Sequence, residues 1–177
     1  MIYAYIYGII SFIATLLVCD WLIRYLKRIK LEVKDQNKQN KPLIPISGGL
    51  AVLVGMFSGL LIFIFTRTFF KGKYDLILNN NNLVILFAAM ISLFIITLVG
   101  FLDDLVIRDD KESSSGLRQW QKPLLTITAA IPLMVIHAGT ARMGLPFFGV
   151  IELGLLYPLI FIPIGVMGAA NMVNMLA

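Results

Sequence analysis

Residues 84–104 read VILFAAMISLFIITLVGFLDD. No charged residue occurs from Val84 to Leu102, and Asp103 and Asp104 follow directly. An apolar run of about 20 residues is what a helix needs to cross about 30 Å of hydrocarbon. Burying even one unpaired carboxylate costs several kcal/mol, so the pair is expected at the membrane rim. There it would be offset by a cation, either a metal or nearby Lys and Arg. Two carboxylates at the exit of a membrane helix thus read as the centre of a metal-dependent site.

The rest of the chain fits the same solvent. Hydrophobic residues make up 59% of the 177 and charged residues only 14%, and the mean hydropathy of +0.87 excludes an ordinary soluble domain. Apolar stretches run from Ile2 to Cys19, roughly Ser47 to Thr66, Leu83 to Leu102, Pro123 to His137 and Leu153 to Met175. Open strands cannot satisfy their backbone groups in lipid, and the alternation of a barrel is absent. The expected fold class is therefore all-α: a polytopic transmembrane helical bundle of about five spans, forming a single domain over residues 1–177. Met1 to Ser11 has no basic flank, and no small-residue cleavage site precedes Asp20 and Trp21, so the segment reads as a retained span rather than a signal peptide.

Lys and Arg counts orient the bundle. Seven lie between Arg24 and Lys41 and four between Arg108 and Lys122, against three from Arg67 to Lys73 and Arg142 alone in the last loop. This asymmetry puts the N-terminus outside and the C-terminus in the cytosol. The net charge of +5 is then mostly topology. It suits anionic headgroups or a phosphorylated substrate, whereas a nucleic-acid surface, with basic and aromatic residues interleaved, is not present. Cys19 is the single cysteine and excludes an internal disulfide framework.

Two polar loops, about 27–46 and 103–121, are expected on the cytosolic face. The first ends in Pro42-Leu43-Ile44-Pro45-Ile46-Ser47-Gly48-Gly49. Ser47 is placed to cap the second helix, and the glycines allow close approach of a ligand to a helix start that can receive an anion. In the fifth span Asn171 and Asn174 are three apart and share a helix face. Their amides either bond between helices, with Gly165, Gly168, Ala169 and Ala170 allowing close packing, or offer oxygens to a hard cation. A basic loop, a carboxylate pair, Lys122 and an amide pair all assigned to one face are the parts of a phosphate-transfer site. Lysines position phosphates, a divalent metal neutralises charge, and carboxylates hold the metal or accept a proton.

At these residues the chain resembles the polyprenyl-phosphate N-acetylhexosamine-1-phosphate transferases, and within them the archaeal and eukaryotic dolichyl branch. The resemblance is carried by Asp35-Gln36-Asn37-Lys38, Pro45-Ile46-Ser47-Gly48-Gly49, Gly100-Phe101-Leu102-Asp103-Asp104, Gly116-Leu117-Arg118-Gln119-Trp120-Gln121-Lys122 and Asn171-Met172-Val173-Asn174-Met175-Leu176-Ala177. It implies transfer of GlcNAc-1-phosphate from UDP-GlcNAc to a polyisoprenyl phosphate, with release of UMP, as the first step of lipid-linked oligosaccharide synthesis. The implied cofactor is Mg²⁺, with Mn²⁺ as substitute. By residue, the resemblance implies Asp103, Asp104 and Lys122 as catalytic, Asn174 and Asp104 at the metal, and Lys38, Gly48 and Asn171 at the substrate.

Departures accompany the match. Ile46 stands where the family has Glu, and Ile107 where the dolichyl branch often has Asn. The family also continues beyond the motif that ends at Ala177, so the chain is expected to be the N-terminal part of a longer fold and inactive by itself. It would be completed by further sequence or a second chain, and a homodimer is a further arrangement. The implied location is a cell membrane of archaeal or bacterial type rather than the endoplasmic reticulum, with the active face cytosolic. The alternatives are a related transferase with another UDP-HexNAc or muropeptide donor, and a transporter or channel subunit with a cation path. His137 reads as an outer-face residue, Asp20 as an interfacial one, Asn79 to Asn82 as an outer turn, and Asp109, Asp110 and Glu112 as a solvated loop face.

Overall fold

The computed structural model describes residues 2–35, 38–70, 80–109, 116–145 and 149–176. Its elements are α1 (Ile2–Arg28), β1 (Glu32–Lys34), β2 (Leu43–Pro45), α2 (Gly49–Phe69), α3 (Asn80–Asp109), α4 (Gln121–Ile127), a 3₁₀ turn (Thr128–Ala130), α5 (Ile131–Val135), β3 (Arg142–Leu145), β4 (Gly149–Glu152), a π-helical turn (Tyr157–Phe161) and α6 (Ile162–Leu176). Among them α1, α2 and α3 are long and apolar enough to cross a membrane. The other two expected spans are shorter apolar helices, Gln121–Val135 and Tyr157–Met172. Both are interrupted by proline. Pro132 and Pro163 lack the N–H that would continue the helical ladder, and a 3₁₀ turn precedes one while a π turn precedes the other. The architecture is an all-α membrane bundle decorated by two short antiparallel hairpins, β1–β2 and β3–β4, which hydropathy alone does not announce.

The chain divides into two compact units, Met1–Ile77 with Gly100–Leu117, and Leu78–Val99 with Arg118–Ala177. In the first, α1 packs along α2 through small residues. A Cβ at Gly55 would overlap the Thr15 hydroxyl, and one at Gly59 would come within 2.9 Å of the Tyr7 carbonyl. Glycine is what lets these backbones approach where lipid supplies no hydrophobic drive. Tyr7 Oη lies 2.6 Å from Thr66 Oγ1 and adds a polar tie. Outside this contact Trp21 and Tyr25 stack with ring centroids 5.5 Å apart.

The C-terminus of α1 explains the turn into the hairpin. Lys30 adopts the left-handed backbone, φ 57°, its N–H donating to the Lys27 carbonyl while that of Leu31 reaches back to Leu26. This is the paired-bond helix end usually built on glycine. Its accompanying apolar contact is Leu31 against Leu26, both buried with Leu22 and Ala51. Ile46, Leu50, Phe101 and Leu105 pack around that cluster. Ile46, which stands where the family has Glu, is here partly buried against this core. β1 then pairs with β2, Val33 opposite Ile44.

α3 runs past the carboxylates. The loop expected from residue 103 begins later, because Phe101 and Leu105, four apart on one face, continue the packing surface beyond the end of the apolar run. Asp103 and Asp104 are therefore helical residues, and Asn80–Asn82 form the first turn of α3 rather than a turn in a loop. Asn79, Asp110, Glu112, Gln36 and Asn37 lie outside the described residues. In the second unit α4 packs on α6, with Ala129, Ala130 and Ile162 buried.

Candidate active site

Neighbouring residues on a helix point about 100° apart, so Asp103 and Asp104 address different segments. Asp104, three beyond Phe101, faces the strand that leads into α2. Its Oδ2 accepts a 2.6 Å hydrogen bond from the Ser47 hydroxyl. Asp103, four before Ile107, faces the chain that returns after α3. Its Oδ1 accepts the Leu117 N–H at 2.6 Å. A Cβ at Gly116 would collide with that same carboxylate and come within 3.2 Å of Ile107 Cγ1. The position where the dolichyl branch often has Asn thus serves here as an apolar floor under Gly116. Asp103 is buried, at 8% exposure, whereas Asp104 is only partly covered.

Ser47 does not cap α2 as its place in the sequence suggests. The residue at the cap position is Gly48, with no side-chain cap bond. Ser47 takes φ 70°, turns its hydroxyl to Asp104, and accepts the Leu50 N–H on its carbonyl. The Leu50 and Ala51 amides of the α2 start are bonded to Ser47 and Gly48 carbonyls, so those two are not available to an anion. Gly48 and Gly49 are exposed, and nothing lies within 4 Å of where their Cβ atoms would be. Lys38, at the end of the hairpin loop, pairs with Asp35 at 3.7 Å.

The remaining candidates belong to the second unit. Asn171 Nδ2 donates to the Met167 carbonyl at 2.7 Å and to Thr126 Oγ1 at 3.1 Å. Thr126 is buried and turns its own hydroxyl hydrogen toward the Lys122 and Pro123 carbonyls. The amide nitrogen of Asn171 is thereby fixed by α4. Lys122 stands in the first turn of α4, partly covered. Asn174 lies in α6, its side chain outside the described residues. Sequence reasoning missed Thr126, Gly116 and the Leu117 amide. The Gly116-to-Lys122 motif contains Gly116 and Leu117 as residues but not their contacts, and Thr126 lies beyond it.

No group of three or more His, Cys, Asp or Glu converges among the described residues. Mg²⁺ does not require one. It usually keeps several waters and binds one or two carboxylates together with substrate phosphates. An adjacent carboxylate pair, each with one oxygen already oriented by a neutral donor, fits that demand and would supply hard oxygen ligands.

Fold and site together define a multi-pass helical membrane protein with a tethered acidic pair on the last turns of a spanning helix. The chain belongs to glycosyl transferase family 4, whose profile matches residues 86–177. It is 30% identical over 169 residues to a Saccharolobus solfataricus protein carrying the name UDP-N-acetylglucosamine–dolichyl-phosphate N-acetylglucosaminephosphotransferase, covering 95% of this chain and 46% of that one. A protein of the same name from Sulfolobus acidocaldarius is 30% identical over 168 residues, with 95% and 46% covered. The phospho-N-acetylmuramoyl-pentapeptide-transferase of Thermotoga neapolitana is 31% identical over 172 residues, with 93% and 49% covered. The chain spans about half the length of the curated relatives it matches.

Proposed function

We propose that the protein carries part of the active site of a membrane transferase that moves GlcNAc-1-phosphate from UDP-GlcNAc to a polyisoprenyl phosphate. An oxygen of the lipid phosphate bonds to the phosphorus bearing the sugar, the bond from that phosphorus to the bridging oxygen breaks, and UMP leaves. The observation that carries this reading is the tethered pair Asp103 and Asp104 at the end of α3, in a chain of this family. The acceptor lives in the bilayer, so its phosphate is met at a membrane boundary. The pair divides two tasks, receiving the acceptor's proton and holding Mg²⁺, with Mn²⁺ as substitute and Asn174 as a further ligand. Bound there, the metal would neutralise charge on the transferring phosphoryl group. Lys122 and Lys38 attract the phosphates, Asn171 supports them, and the open space at Gly48 admits the donor. The site faces the cytosol of an archaeal-type or bacterial cell membrane.

The test is UMP release by membranes from cells expressing the full-length protein, given UDP-GlcNAc and a polyprenyl phosphate. Asp104→Asn should remove most of the Mg²⁺-dependent release, and full activity in that variant would refute the site. Substituting UDP-MurNAc-pentapeptide as donor separates the dolichyl-type reading from the muropeptide one.

A further inference from the structure

Ser47 combines two features that local sequence does not explain. Its backbone is left-handed at φ 70°, a region that costs a non-glycine residue roughly 1 kcal/mol and persists only where the surroundings enforce it. Its hydroxyl also makes a 2.6 Å bond to Asp104 Oδ2, across 57 residues of sequence. The surroundings are visible: the Ile46 N–H is held by the Leu31 carbonyl and the Leu50 N–H by that of Ser47. The residue is pinned on both sides, with the strained backbone as the consequence and a directed hydroxyl as the result.

We propose that Ser47 is a positioning residue for Asp104, fixing which carboxylate oxygen is turned to the phosphates and metal. The inference rests on the function proposed above. A hydrogen bond from a neutral hydroxyl to a carboxylate takes up one oxygen and sets the rotation of the group, leaving the other oxygen in a defined direction. Leu117 does the same for Asp103 from the other side of α3, with a backbone donor. Of these two bonds, the one from Ser47 has a side-chain donor that a substitution removes directly.

The left-handed backbone makes the test unusually clean. Ser47→Ala removes the hydroxyl and keeps the strain, whereas Ser47→Gly removes the hydroxyl and relieves it. Both variants should lower the Mg²⁺-dependent turnover by about ten- to a hundredfold, the range for a lost hydrogen bond to a charged group. Both should also weaken Mn²⁺ binding to the detergent-purified full-length protein, read by electron paramagnetic resonance without substrate. The Gly variant should melt higher than the Ala variant. If Ser47→Gly restores wild-type turnover and Mn²⁺ binding while Ser47→Ala does not, the role is backbone geometry and the proposal is overturned. Wild-type behaviour in both variants overturns it equally. Asp104→Asn is measured alongside. Its inactivity with unaffected Ser47 variants sinks this inference alone, while its full activity sinks the transferase site and this inference together.

Discussion

Asp103 is held by a backbone amide, and a backbone amide leaves no trace in the sequence. The residue types at the site were legible: paired carboxylates after an apolar run, a serine beside glycines, two asparagines three apart. Their partners were not, because the contacts join positions 14, 45 and 57 residues apart. Ser47 shows the limit well. Its place before α2 suggests a helix cap, and the long-range bond to Asp104 wins because the hairpin forces its backbone out of the capping conformation. Gly116 gives the sharpest test at this scale. It needs no positive φ, so alanine is acceptable to its backbone, and the main obstacle is the Asp103 carboxylate that a Cβ would displace, with Ile107 Cγ1 a closer-than-usual contact behind it. Gly116→Ala should therefore reduce turnover on the order of a hundredfold, the effect of misplacing a reacting group by about 1 Å. The melting temperature should fall only slightly, and an unchanged rate would show that Asp103 need not sit where Leu117 holds it.

At the scale of elements, the three long spans could be read directly from uninterrupted apolar runs, because lipid leaves the backbone few alternatives to helix. Their ends could not. α1 continues through Arg28 and α3 through Asp109, because Leu22, Leu26, Phe101 and Leu105 carry the packing surface beyond the apolar run. Three-residue strands such as β1 and β2 are too short to show a period, and pairing with each other is what defines them. The α1–α2 contact gives a stability prediction. A Cβ at Gly59 would lie 2.9 Å from the Tyr7 carbonyl and 3.0 Å from Ser11 Cβ, neither of which can move aside cheaply. Gly59→Leu should force the helices apart and cost about 1–3 kcal/mol, seen as a lower midpoint of thermal unfolding in detergent. A midpoint at or above wild type would mean that this pair is not closely packed in the membrane.

At the scale of the molecule, the proposed orientation rests on the distribution of Lys and Arg, not on hydropathy. In the proposed orientation, with the N-terminus outside, the β1–β2 hairpin would face the cytosol and the β3–β4 hairpin the exterior. In a Cys19→Ser background, a cysteine replacing the exposed Thr140 should react with an impermeant maleimide on intact cells. One replacing the exposed Asn40 should react only after permeabilisation. The reverse pattern would put the proposed site on the outer face and overturn this orientation.

The stacked pair Trp21 and Tyr25 bears on the same orientation in a different way. The protein has two tryptophans, and both Trp21 and Trp120 are exposed, at 59% and 61%. In the proposed topology one belongs to the inner stretch of α1 and the other to the approach to α4. In that topology the intrinsic fluorescence of these two residues would report on a single leaflet, an optical marker for the depth of the proposed site.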